Sequence, residues 1–182
     1  TIGVKKGPIM AAADIFEITI HGKGGHGAAP QGTKDAVLIA AHLIQTLQTI
    51  VSRNTNPIES TVVTIGQING GYNFNIIADT VSLKGTTRAY TEENRLLVKE
   101  RMEEIISGTE KTFDAKIDFD FEDGYPPTIN DPKAAENLLK SAKEIVGDGA
   151  GHPYLSMGGE DFSYFLQKVP GCYFLIGSAP ED

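Results

Sequence analysis

Residues 14–52, DIFEITIHGKGGHGAAPQGTKDAVLIAAHLIQTLQTIVS, switch hydrophobic period once, and that switch decides the fold. Phe16, Ile18 and Ile20 take one side and Glu17, Thr19 and His21 the other, with Ile15 out of step. A two-residue period of this kind is a half-buried strand, read over 14–21. After a glycine-rich turn the apolar residues Ala36, Val37, Ile39, Ala40, Leu43, Ile44, Leu47, Ile50 and Val51 return at steps of three and four. That is the spacing of an amphipathic helix, read over about 34–52.

Working outward, 60–68 and 80–90 are β-branched or alternating stretches separated by the Gly70-Gly71 break, and both read as strands. Thr91 followed by Glu92, Glu93 and Asn94 starts a second helix, with acids at the positive end of its dipole. Its apolar face is Leu96, Leu97, Met102, Ile105 and Ile106, and it runs to about Phe113. A fourth strand follows, in which Ile117, Phe119 and Phe121 alternate with Lys116, Asp118, Asp120 and Glu122. The order β-α-β-β-α-β predicts an α+β domain of ferredoxin-like type: a four-stranded antiparallel sheet with both helices on one face. Pro126, Pro127, Asn130 and Asp131 mark 124–131 as a linker. Beyond it come a helix carrying Ala134, Leu138, Leu139, Ala142, Ile145 and Val146, a short helix from Asp161, and a buried-strand candidate over 172–176. So few elements make a poor independent domain.

A hydrophobic content of 40% with 22% charged residues places the chain among folded globular proteins. A net charge of -8 and a pI near 5.0 argue against nucleic acid or anionic membrane as a partner, because both select a basic surface. No stretch approaches the roughly 20 consecutive apolar residues of a membrane span, and the first residues lack a signal peptide's apolar core. The single cysteine, Cys172, has no internal disulfide partner and lies in an apolar run, so it reads as buried in a protein of a reducing, cytoplasmic compartment. The chain begins without Met and stops at Ala179-Pro180-Glu181-Asp182 just after a strand-like run, so both ends read as cut.

The segment HGKGGHGAAP (21–30) sets His26 among glycines directly after a strand. Such an imidazole reaches a ligand, exchanges a proton near neutral pH, or hydrogen-bonds a carbonyl that is gaining charge; an exposed turn histidine fits the same residues. His21, on a solvated strand face, and His42, beside apolar helix residues, read as structural. Asn75 lies in a loop between two strands, where a side-chain amide caps the turn or binds a substrate carbonyl. Arg88, in GTTRAY, either grips a carboxylate bidentately or makes a surface salt bridge. In SMGGEDFSYF (156–165), Gly158 and Gly159 let backbone N–H groups approach a ligand, while Glu160 and Asp161 equally well cap a helix. His21, His26, His42, His152 and the carboxylates show no recognised metal-ligand spacing, so the residues by themselves stop short of a reaction.

Taken together and in this order, FEITIHGKGGHGAAPQGTKDA, VVTIGQINGGYNFNIIADTVSLKGTTRAY and MGGEDFSYF closely resemble the peptidase M20 family. The likeness is to its amidohydrolase branch, with hippurate hydrolases, N-acyl-amino-acid deacetylases and plant auxin-conjugate hydrolases, and it covers essentially the whole chain. It implies a metal-dependent amidohydrolase whose catalytic domain, made of two separated segments, binds two divalent metal ions (Zn, Mn, Co or Ni), with a ferredoxin-like lid inserted between them. On that pattern residues 1–11 are a linker from the catalytic domain, 12–124 the lid, and 125–182 a partial C-terminal segment of the catalytic domain. The family's metal ligands fall outside the matched stretch, so this fragment is expected to hold no metal pair and to be inactive alone. The lid is expected to form a homodimer, and the substrate to be a small N-acyl amino acid. By resemblance His26 is the lid histidine that hydrogen-bonds the scissile carbonyl in the partner subunit's site. Asn75 is a second lid contact to substrate, Arg88 meets the substrate carboxylate, and Gly158, Gly159 and Glu160 form a loop edging the pocket. Ala78 departs from the pattern, which has proline there, and implies a looser loop around Asn75. The competing reading is a stand-alone dimerisation or regulatory module without chemistry.

Overall fold

The computed structural model describes residues 1–178; Ala179–Asp182, read above as a cut end, lie outside the described residues. The chain divides into two compact units, one formed by Asp14–Thr87 and Glu93–Asp123, the other by Thr1–Ala13, Arg88–Glu92 and the chain from Gly124 onward.

The first unit is built on β1 (Ala12–His21), α1 (Ala36–Thr49), β2 (Thr61–Gly70), β3 (Thr80–Ala89), α2 (Glu92–Phe113) and β4 (Lys116–Tyr125). Its antiparallel sheet has the order β2-β3-β1-β4, so the anticipated β-α-β-β-α-β arrangement forms. Burial alternates along β1 as the sequence requires, and Phe16, Ile18 and Ile20 enter one core with Ile39, Leu43 and Leu47 of α1 and Val98, Met102 and Ile106 of α2. Each such side chain contributes roughly 1.5–3 kcal/mol by leaving water, which makes this cluster the main force holding sheet to helices. Val98 replaces Leu96 on the inner face of α2, where Leu96 points to solvent.

Gly85 explains itself once the core is seen. A Cβ on it would lie 2.3 Å from Phe16 Cζ and 2.2 Å from the Thr64 carbonyl oxygen, so the missing side chain is the slot that accepts the Phe16 ring. The space at Gly85 is therefore filled from the neighbouring strand.

Helix α1 starts at Ala36 rather than 34 because Asp35 caps it, its carboxylate accepting from the Val37 and Leu38 N–H groups at 2.9 and 3.2 Å. At its other end the helix widens into a π turn, Ile50–Asn54. By length and composition Ala36–Asn54 is long and apolar enough to cross a membrane, but its inner stripe is this unit's core. The outer face stays apolar, with Val37 48% and Leu38 59% exposed.

In the second unit several expectations are corrected. Residues 1–11, read as a linker, form strands: Ile2–Gly3 pairs with Ala150–Gly151 and with Leu175–Ile176, and Gly7–Met10 pairs antiparallel with Thr128–Asn130. The supposed linker 124–131 thus contains a strand. Its pattern is inverted, with Thr128 and Asn130 buried and Ile129 exposed, so polarity alone makes it resemble a loop. Burial of Asn130 is possible because its amide donates to the carbonyls of Lys5 (2.9 Å) and Tyr173 (2.8 Å) and accepts from the Tyr173 N–H (2.7 Å). The same contacts pin Tyr173 through a side chain rather than a sheet, which leaves only Leu175–Ile176 as strand and Ile176 67% exposed, not a buried run over 172–176. Cys172 is only partly buried, and that burial, with Asp131's charge second, pushes its thiol up. Helix α3 (Pro132–Val146) is capped by Asp131, whose carboxylate accepts from Lys133 and Ala134, and it ends at Gly147 with φ of 55°.

Candidate functional site

His26 stands on a two-stranded ribbon in which Gly25 and His26 pair antiparallel with Ile77 and Ile76. Three further hydrogen bonds close the ribbon: Gly22 N–H to the Asp79 carbonyl, Gly27 N–H to that of Asn75, and Ala36 N–H to that of Ala78. Ala78 is itself buried, so the loop carrying Asn75 is tied at both ends despite lacking the proline, and the looser loop expected from that departure is not seen.

The His26 ring is exposed, and its Nδ1 accepts the Ala28 N–H at 3.1 Å. An N–H can only donate, so Nδ1 carries the lone pair and the neutral ring bears its proton on Nε2. That nitrogen has no partner among the described residues. The consequence is an outward-facing N–H donor of fixed tautomer on a braced turn, the chemistry of an oxyanion-stabilising group. Asn75, adjacent through its carbonyl to Gly27, has its Oδ1 buried and without a hydrogen bond in the structure. Its capacity for a polar contact is unused. His21 is structural, its Nε2 2.7 Å from Asp118 Oδ2, and so is His42, edge-on to the Phe113 ring at 5.1 Å.

The other candidates belong to the second unit. Arg88 is half-buried near the end of β3, two residues before Tyr90, whose hydroxyl donates to the Ser156 carbonyl at 2.9 Å. The Gly158 carbonyl accepts the Ala11 N–H at 2.9 Å, and a Cβ on Gly159 would lie 2.6 Å from that of Ala13, so this loop follows the neighbouring backbone too closely for a side chain. Glu160 does not cap a helix through its carboxylate alone: its carbonyl accepts from both the N–H and hydroxyl of Ser163, while Oε2 accepts the Tyr173 hydroxyl at 2.9 Å. Sequence reasoning missed Tyr173, since no local spacing signals a partner in another loop.

The Tyr173 hydroxyl is the main reason the Glu160 carboxyl lies below its ordinary range, and burial, then Glu160, push the Tyr173 phenol up. The pair is thus carboxylate and neutral phenol at neutral pH. A depressed folded value stabilises the fold above the unfolded carboxyl value, about 4.3, and that contribution is lost as pH falls through the folded value. Tyr173→Phe moves the Glu160 titration up and brings acid unfolding to higher pH; carboxyl NMR titration beside acid melts reads both, and an unmoved Glu160 titration would refute the assignment.

With this geometry in hand, comparison decides the family. The model of the peptidase dimerisation domain of M20 enzymes matches residues 15–114, more than half of the chain. The chain belongs to the peptidase M20 family. Among M20 relatives it is 40% identical over 178 residues to the N-acetyl-L-cysteine deacetylase of Bacillus subtilis (strain 168), with 98% of this chain and 42% of that protein covered. It is also 40% identical to the N-acetyldiaminopimelate deacetylase of Leuconostoc mesenteroides, covering 97% and 46%. A solved M20 structure, the Bacillus subtilis YXEP protein described as a dinuclear metal binding peptidase, superposes with a TM-score of 0.75 at 30% identity, covering 95% of this chain and 42% of that one. The M20 chain therefore spans less than half the length of these curated relatives, and those it matches include amidohydrolases, N-acetyl amino acid deacetylases and carboxypeptidases. Among its described residues no group of three or more His, Cys, Asp or Glu is placed to hold a metal ion.

Proposed function

We propose that this chain is the dimerising lid, with an adjoining stretch of catalytic domain, of an M20 amidohydrolase that hydrolyses N-acyl amino acids. The observation that carries the reading is His26, an exposed imidazole whose Nδ1 accepts the Ala28 N–H and whose Nε2 is left without a partner among the described residues. An amide carbonyl attacked by water gathers negative charge on oxygen, and a preorganised donor stabilises that charge without reorganising. Asn75, whose peptide carbonyl ties the turn that carries His26, adds a second lid contact to the substrate. Arg88 receives the amino acid's carboxylate, and the loop of Gly158, Gly159 and Glu160 is a further substrate contact. The two divalent metals of the family find no group of three or more His, Cys, Asp or Glu placed to hold them among the described residues, and no step here passes through them.

The surface of the lid supports a homodimer. Val37 and Leu38 leave an apolar stripe on α1, and β2 is an edge strand with Ile68 exposed, so a second lid would cover both and continue the sheet.

The test is substrate charge. Arg88→Ala in the complete enzyme raises KM for N-acyl amino acids roughly ten- to hundredfold, the worth of hydrogen bonds to a charged group, while kcat changes little. For the matching N-acyl amino acid amide the penalty disappears. An equal loss on both substrates would remove Arg88 from the carboxylate, and no hydrolysis of either by the unaltered enzyme would remove the reading itself.

A further inference from the structure

The chain passes between its two compact units at four places, and the last residues on the lid side are Asp14, Thr87, Glu93 and Asp123. One buried ion pair touches three of these passages directly and stands two residues from the fourth. Asp14 is 1% exposed, and Arg95 holds its carboxylate with Nε at 3.1 and 3.0 Å and Nη2 at 2.6 Å. Thr87 donates its hydroxyl to Asp14 Oδ2 at 3.4 Å, and Thr86 donates to the Asp14 carbonyl at 2.6 Å. The same Nη2 lies 3.6 Å from Asp123 Oδ1, and Lys99, 5.0 Å over the Phe121 ring, reaches Asp123 Oδ2 at 3.4 Å.

Burying two charges costs several kcal/mol per ion, and an apolar pair of similar volume would serve a core at least as well. General stability therefore does not explain an ion pair here, whereas its position does. A planar guanidinium with donors in a fixed fork can join a carboxylate on β1 to one at the end of β4 while anchored in α2. We infer that Asp14 and Arg95 form a clamp that locks the four passages at the base of the lid into one body, so that the lid moves as a unit. Its use in turnover rests on the lid reading above; the clamp itself does not.

Hydrogen exchange on the protein without substrate tests it, independently of the Arg88 assay. Arg95→Met, which keeps the length of the stem and removes the fork, raises exchange at least tenfold at 14–17, 86–88 and 121–124, while amides within 39–47 and 102–106 hold their rates. Arg95→Lys, a single point charge, gives a partial effect at the same segments. Asp123→Asn lies on an exposed carboxylate and leaves the core alone; it raises exchange at 121–124 even if Arg95→Met fails to fold. A uniform rise across the whole unit in Arg95→Lys and Asp123→Asn, or no rise at the passages, would overturn the clamp and leave an ordinary buried ion pair.

Discussion

His26→Ala, in the dimeric enzyme proposed above, lowers kcat by roughly a hundred- to a thousandfold and leaves KM nearly unchanged. The magnitude is that of removing one oxyanion donor, about 2.7–4 kcal/mol of transition-state stabilisation. The split between kcat and KM follows from where the charge is: the ground-state amide oxygen is nearly neutral, so the Nε2–H contact tightens only as the tetrahedral oxyanion forms. The ribbon makes this a clean experiment, because His26 is exposed and its backbone is held through pairing with Ile76 rather than by its ring. Mixing tests the subunit assignment. If His26 serves the neighbouring subunit's site, His26→Ala protein combined with a variant disabled in its own catalytic segment regains activity, since a mixed dimer assembles one intact site. With subunit exchange demonstrated, no recovery would place His26 in its own chain's site, and a loss seen mainly in KM would make it a ground-state contact.

Phe16→Ala is expected to cost about 3–5 kcal/mol of folding free energy, a large share of the roughly 5–15 kcal/mol that a domain possesses. Phe16 is buried in the core that the sheet shares with both helices, and its ring occupies the slot left by Gly85, so truncation opens a cavity that the stiff sheet cannot close. At about 2–4 °C per kcal/mol for a chain of this size, the midpoint falls by roughly 6–20 °C. The reciprocal change, Gly85→Ala, fills the same slot from the other side. It costs at least the 1–3 kcal/mol typical of overpacking, because the Thr64 carbonyl is backbone and cannot swing away. Thermal unfolding of both variants decides the matter: a Phe16→Ala midpoint within a degree or two of the parent would mean that the ring is not the keystone of this core.

The lid was legible because its information is local. A change of period from two to 3.6 is written in consecutive side chains, so β1, α1, β2, β3, α2 and β4 could be placed within a few residues. Errors fell where a local rule had a distant competitor: Asp35 took the cap and shortened α1, and Val98 displaced Leu96 from the inner face of α2. The unit holding the two termini read poorly for the opposite reason. Its strands are two to four residues long and drawn from opposite ends of the chain, too short for any period to show.

By itself the sequence determined the β-α-β-β-α-β order, the family and the identity of His26, Asn75 and Arg88 as candidates, because each resides in a continuous stretch of chain. Tertiary structure alone decided what those residues can do. The Ala28 N–H selects the His26 tautomer, the Tyr173 hydroxyl holds Glu160 ionised, and Asn130 turns an apparent linker into a buried strand. Arg95 meets Asp14 across 81 residues. The physical reason is common to all of them: a polar group is tolerated or activated according to the partner that satisfies it, and the partner is chosen by which surfaces meet on folding, a matter on which no local spacing bears.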